Sequence, residues 1–162
     1  MPDFSLQSSQ KTNEMPLLSL AMIVRDGGQN LAPLLADASQ WVDEIVIADT
    51  GSADDSVAVA EAHGALVHHI EWTDDFAAAR NQALSHCRGA WILVLDADEL
   101  LCQSTWRDLR DWVEQRNRQQ RFLAGSITTR NYLPDRYGKQ GWTPVRDDDP
   151  HSLPQGPPSD DC

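Results

Sequence analysis

Asp96 and Asp98 stand one residue apart at the end of the apolar run Ala90-Trp91-Ile92-Leu93-Val94-Leu95, with Glu99 directly after them. Carboxylates this close repel one another, and a divalent cation that prefers hard oxygen ligands relieves the repulsion. The plainer alternative is a solvated acidic turn capping the next helix, with Glu99 as part of it. Another carboxylate, Asp49, closes a second apolar run, Glu44-Ile45-Val46-Ile47-Ala48. Between the two lies Phe76-Ala77-Ala78-Ala79-Arg80-Asn81, which puts Arg80 on a helix expected to pack near the same edge. Carboxylates, a cation site and one Arg together suit a nucleoside diphosphate. Asp49 would accept hydrogen bonds from ribose or base, while the metal and Arg80 would offset the pyrophosphate charge.

Such groups act together only if one scaffold brings them to one edge, and the apolar patterning describes that scaffold. Strands are expected at Leu17 to Val24, Glu44 to Asp49, Ala65 to Ile70 and through the run ending at Asp96, the last apolar on both faces and therefore buried. A fifth is expected around Ala124 to Thr129. Helical spacing runs from Asn30 to Trp41, with Leu31, Leu34, Leu35 and Ala38 on one face and Pro33 placed in the first turn. Further helices are expected from Asp54-Asp55-Ser56 to His63, stopped by Gly64, from Asp74 to Cys87, burying Phe76, Ala83, Leu84 and Cys87, and from Gln103 to Gln119. The alternation predicts an α/β fold, a mainly parallel sheet with helices on both faces, with ligands bound beyond the carboxyl ends of the strands.

The chain has 162 residues, 41% of them hydrophobic and 23% charged, as expected of a globular domain. Its formal net charge of −12 argues against nucleic acid as a partner. Cys87, Cys102 and Cys162 show no CxxC pattern, leave one over in any pairing, and read as reduced thiols of a cytoplasmic protein. Residues 1–16 form a polar leader without a signal-peptide core, and peripheral attachment to a membrane stays open. From 143 to 162 five of the nine prolines and the run Asp147-Asp148-Asp149 predict a disordered or extended tail, which leaves 17–142 as the folded domain. His63, His68, His69 and His86 show no ligand spacing with the carboxylates and read as surface or satisfied histidines.

Four segments in order carry a resemblance: Ser19-Leu20-Ala21-Met22-Ile23-Val24-Arg25, Asp43 to Asp54, Asp75-Phe76-Ala77-Ala78-Ala79-Arg80-Asn81, and Trp91 to Glu99. They resemble the family 2 glycosyltransferases of GT-A (Rossmann-like) fold, over roughly residues 17 to 132. The resemblance implies a nucleotide-diphosphate sugar as donor and a glycan, lipid or protein acceptor. It makes Asp49 the nucleoside carboxylate, Arg80 the basic residue beside the nucleotide, and Asp96 and Asp98 the DxD motif. Asp98 would ligate Mg²⁺ or Mn²⁺ directly, with Asp96 nearer the ribose. The implied reaction is metal-assisted and inverting.

Two departures stand out. The family commonly carries Asn-Glu after its first strand, whereas this chain has Asp26-Gly27; Asp26 either substitutes near the nucleotide or caps the following helix. The family's general base and much of its acceptor site lie beyond the DxD half, so no base is assigned, and the chain reads as a C-terminally truncated domain. The alternatives are therefore a non-catalytic or truncated nucleotide-sugar-binding fragment and, further off, a haloacid dehalogenase-like phosphatase, which also ends a strand in Asp-x-Asp.

Overall fold

The computed structural model describes residues 15–119 and the backbone of 132–134 and 142–144. The described chain divides after Glu99 into two units. The first holds four parallel strands: β1 (Leu18–Val24), β2 (Glu44–Asp49), β3 (Leu66–His69) and β4 (Trp91–Val94), ordered β3-β2-β1-β4. The connecting helices are α1 (Gly28–Ala38), α2 (Ser56–Ala62) and α3 (Phe76–His86). Crossovers between parallel strands are right-handed, so the steps β1 to β2 and β2 to β3 put α1 and α2 on one face. The step back from β3 to β4 puts α3 on the other. α1 accordingly packs on α2, and α3 lies against β1 and β2.

Burial follows the strand order. β2 is buried along its whole length and β1 at every position but Ile23, because both are central and covered on two faces. β3 and β4 are the edges of this sheet, and Ile92 on β4 is 39% exposed. The expectation of a strand buried on both faces is thus corrected: composition reports apolarity, not place in the strand order. α1 buries the predicted stripe Leu31, Leu34, Leu35 and Ala38, but it starts at Gly28 and leaves Pro33 inside the helix instead of in its first turn. The amide that Pro33 lacks would have met the carbonyl of Gln29, an exposed residue that water can serve. α3 buries Ala79 and Ala83 but leaves Phe76 70% exposed, against expectation, edge-on to Trp72.

At the amino end of β2 the buried Glu44 carboxylate gathers three donors. Ser19 Oγ donates to it at 2.6 Å, the Arg88 amide at 2.8 Å and Arg88 Nε at 2.7 Å. The Gly89 amide completes the group by donating to Ser19 Oγ at 2.9 Å. A Cβ on Gly89 would lie 2.5 Å from that hydroxyl, so only glycine fits. Burial pushes the Glu44 carboxyl up, but the Arg88 amide, the Ser19 hydroxyl and the guanidinium outweigh it and hold it below the ordinary range. Cys87, next to this cluster, is free, and burial with the Glu44 charge raises its thiol to about 11, which keeps it protonated and inert.

In the second unit α4 (Gln103–Arg118) buries Trp106 and Val113 and leaves Arg107, Asp108, Asp111 and Arg118 exposed. β5 (Tyr132–Pro134) and β6 (Trp142–Pro144) pair antiparallel. Cys102, at the start of α4, is disulfide-bonded, so the expectation of three reduced thiols does not hold. An odd count and a missing CxxC say nothing about which Cα atoms approach within bonding reach. The strand expected around Ala124 to Thr129 and the Asp147-Asp148-Asp149 run lie outside the described residues.

A carboxyl held low in the folded state stabilises the fold above its unfolded value and ceases to do so as pH falls through the folded one. Stability should therefore decline below about pH 4.5, the ordinary glutamate range. Glu44→Gln should flatten that acid limb and cost about 2 kcal/mol at neutral pH, since a neutral amide replaces charge-assisted bonds. Urea titrations of both proteins between pH 3 and pH 7 measure this; parallel acid limbs would contradict it.

Candidate functional site

The strands of a parallel sheet all end on one side, and there the first unit collects its polar side chains. The loops after β1 and β2 are joined by side chains. Asp26 Oδ1 accepts from the amides of Ala53 at 2.7 Å and Asp54 at 3.3 Å, while its own amide donates to Ser52 Oγ at 3.0 Å. The Gly27 amide donates to Ser56 Oγ at 2.8 Å and the Gly28 amide to Asp54 Oδ2 at 3.1 Å. The first amides of α1 are thus capped from the neighbouring loop, and Asp26 is a brace, which corrects the helix-cap alternative. Asp26 does this with φ at 51°, a left-handed conformation that Asp tolerates better than most residues.

Asp49 ends β2 with its side chain 4% exposed. Oδ1 accepts from the Ser52 amide at 3.1 Å, and Oδ2 from the Gly51 amide at 3.3 Å and His69 Nδ1 at 3.1 Å. Burial raises its carboxyl, but Ser52, His69 and Gly51 outweigh that and hold it below the ordinary range. His69 is, as expected, an exposed and satisfied histidine, but its tie to Asp49 is a contact that sequence spacing does not show. It follows from the register: β2 and β3 are parallel neighbours, and their last residues, Asp49 and His69, are register partners. His68, on the opposite face of β3, stacks on His86 at 3.7 Å, away from Asp49.

Arg80, one turn into α3, donates from Nη2 to Asp96 Oδ1 at 2.8 Å. It does not pair with Asp74 or Asp75: Asp74 accepts from Trp72 Nε1, and Asp75 caps α3 by accepting from the Ala78 amide. Glu99 folds back, Oε2 accepting from the Asp96 amide at 2.9 Å while the Glu99 amide donates to the Asp96 carbonyl. Glu99 thus closes the acidic turn itself; the residue at the head of α4 is Cys102. Asp98 remains exposed and makes no hydrogen bond or ion pair with the described residues. Among those residues no group of three or more His, Cys, Asp and Glu could hold a metal. The described residues alone therefore do not build a closed metal cage. The chain brings together Asp26 with the loop that follows Asp49, and Arg80 with Asp96.

Fold and site define a parallel α/β protein with its acidic and basic groups beyond the strands' carboxyl ends. The sequence model of "Glycosyl transferase family 2" matches residues 19–155, and the chain belongs to that family. It is 48% identical over 101 residues to a TPR repeat-containing protein of Synechococcus elongatus, covering 62% of this chain and 25% of that protein. It is 32% identical over 113 residues to an uncharacterized glycosyltransferase of Rickettsia felis, covering 70% and 39%. The chain thus spans between a quarter and two fifths of the length of these relatives. Among solved structures it resembles glucosyl-3-phosphoglycerate synthase from Mycobacterium tuberculosis, crystallised with Mn²⁺, UDP and glucosyl-3-phosphoglycerate. The TM-score is 0.46 at 21% identity, over 52% of this chain and 34% of that one. Family membership sets the dehalogenase-like alternative aside.

The brace makes a local prediction. Asp26→Ala removes the acceptor and leaves a less tolerant residue at positive φ, and should cost about 1–2 kcal/mol. The Ala53 amide should exchange with deuterium faster, while Asp26→Asn, which keeps both an acceptor and the conformation, should change little. Unchanged Ala53 protection in Asp26→Ala would contradict the brace.

Proposed function

We propose that this chain forms the donor-binding part of a glycosyltransferase that moves a sugar from a nucleotide-diphosphate sugar to an acceptor hydroxyl. The observation that carries the reading is the Arg80–Asp96 ion pair beside the free carboxylate of Asp98. Asp98, with Asp96, holds Mg²⁺ or Mn²⁺, and Asp49 serves the nucleoside end of the site. A bound cation supplies Lewis-acid stabilisation of the departing diphosphate. Arg80 adds a fixed positive charge beside that leaving group, and exchanges its carboxylate partner for phosphate oxygens at little cost because both ions are partly exposed. Asp26 keeps the loops after β1 and β2 in one arrangement, so that the site is preorganised. The acceptor hydroxyl then displaces the diphosphate in one inverting step, with the base supplied from outside the described residues.

A second reading is a donor-binding module without turnover, since no general base is assigned among the described residues. The two readings differ in one measurement, since release or transfer of sugar by the chain alone belongs to the first. As to location, no helix among the described residues is long and apolar enough to cross a membrane.

Donor binding has a direct readout. At a hundredfold excess over Kd, a nucleoside diphosphate with Mn²⁺ should stabilise the fold by about 2.7 kcal/mol and raise Tm by roughly 5–10 °C. Asp98→Ala should abolish most of that rise. A flat response to every common nucleoside diphosphate, with and without metal, would overturn the proposal, and a full rise in Asp98→Ala would overturn the metal assignment.

A further inference from the structure

Asp49 has few acceptor positions left. Its two oxygens already take the Ser52 amide, the Gly51 amide and His69, and the side chain is 4% exposed. The group that stands out into solvent at the end of β2 and β3 is instead the His69 imidazole, 70% exposed and tied to Asp49 at 3.1 Å. Asp49 is held ionised by its donors and can only accept. The proton of the neutral ring must then sit on Nδ1, and Nε2 is left as a bare acceptor. A buried carboxylate that fixes the tautomer of an exposed imidazole is a way of presenting one defined lone pair.

We propose that His69 is a specificity-determining residue that reads the base of the nucleoside diphosphate, its Nε2 accepting from a ring N–H. The inference rests on the donor-site reading above and adds the class of base. Uracil carries such a donor at its imide nitrogen and guanine at N1; cytosine and adenine present a lone pair at the corresponding ring nitrogen. With Nε2 as acceptor the first two bases gain a hydrogen bond. The other two set lone pair against lone pair, and a desolvated acceptor without a donor is penalised further. Asp49 is a positioning residue here: it acts through His69 by fixing the tautomer.

The test compares UDP, GDP, CDP and ADP with Mn²⁺ by titration calorimetry on the full chain, at about pH 8, where free imidazole is neutral. UDP or GDP should bind about tenfold more tightly than CDP and ADP. His69→Ala should bring the four affinities to within about threefold of one another, with an unchanged circular dichroism spectrum because the lost side chain is exposed. Asp49→Asn should shift preference toward CDP or ADP, because the amide donates to Nδ1 and moves the ring proton to Nε2. If none of the four binds, the donor reading and this inference fall together. If the wild type binds all four alike, or either variant keeps the wild-type order, the donor reading stands and the role of His69 is overturned.

Discussion

A buried carboxylate at the amino end of the central strand β2 is the constraint on which the arrangement depends. Glu44 can be ionised in the core only because Ser19 of β1 and Arg88, just before β4, give it donors. Three parts of the chain far apart in sequence meet at one charge, and losing any of them would leave it under-solvated. The same group sets phase. Ser19 is the register partner of Glu44 on one side and of Ile92 on the other. From that common level β2 runs five residues to Asp49, at about 3.3 Å each, while β4 runs two residues to Val94 and the chain two more to Asp96. Both carboxylates therefore belong to the carboxyl side of the sheet.

Arg88 is 68% exposed while Glu44 is 3% exposed, so the ion pair itself is a small part of the stabilisation. The larger part is satisfaction: a carboxylate that must be buried for β2 to be central finds hydrogen-bond donors instead of apolar neighbours. Gly89 shows how close the packing is, since its amide reaches the Ser19 hydroxyl only because no Cβ stands in the way. A charged side chain at the foot of the sheet and the position of a site at its head are thus one problem of register.

Much of this was legible in the sequence. Apolar runs ending in Asp49 and Asp96, alternating with helical spacing, gave the parallel α/β order, and four ordered motifs gave the family that the profile match confirms. What was not legible depended on strand order. Neighbouring strands cannot be named from a one-dimensional pattern, so the Asp49–His69 pairing, 20 residues apart, and the edge position of β4 both escaped. The exposure of Phe76 escaped for a related reason: it is the first residue of α3, edge-on to Trp72 and off the face that buries Ala79 and Ala83. The role of Asp26 was open between two local alternatives, and the observed role as an inter-loop brace is non-local, reaching Ala53 and Asp54.

The charge balance sharpens what kind of ligand the site can hold. A chain with a formal charge of −12 repels a diphosphate at long range, so attraction must be built locally. At the carboxyl edge of the sheet most acidic groups are already spent on the protein. Asp26 and Asp54 brace loops, Asp49 closes its own turn and holds His69, Asp96 neutralises Arg80, and Glu99 closes the acidic turn. Asp98, exposed beside the Arg80–Asp96 pair, keeps its lone pairs free. In the proposed site, the free Asp98 beside one neutralised pair would be too little negative charge to hold a divalent cation tightly by itself, but enough when phosphate oxygens complete the shell. Metal and diphosphate affinity should therefore be mutually dependent, each ligand supplying the charge that the other lacks.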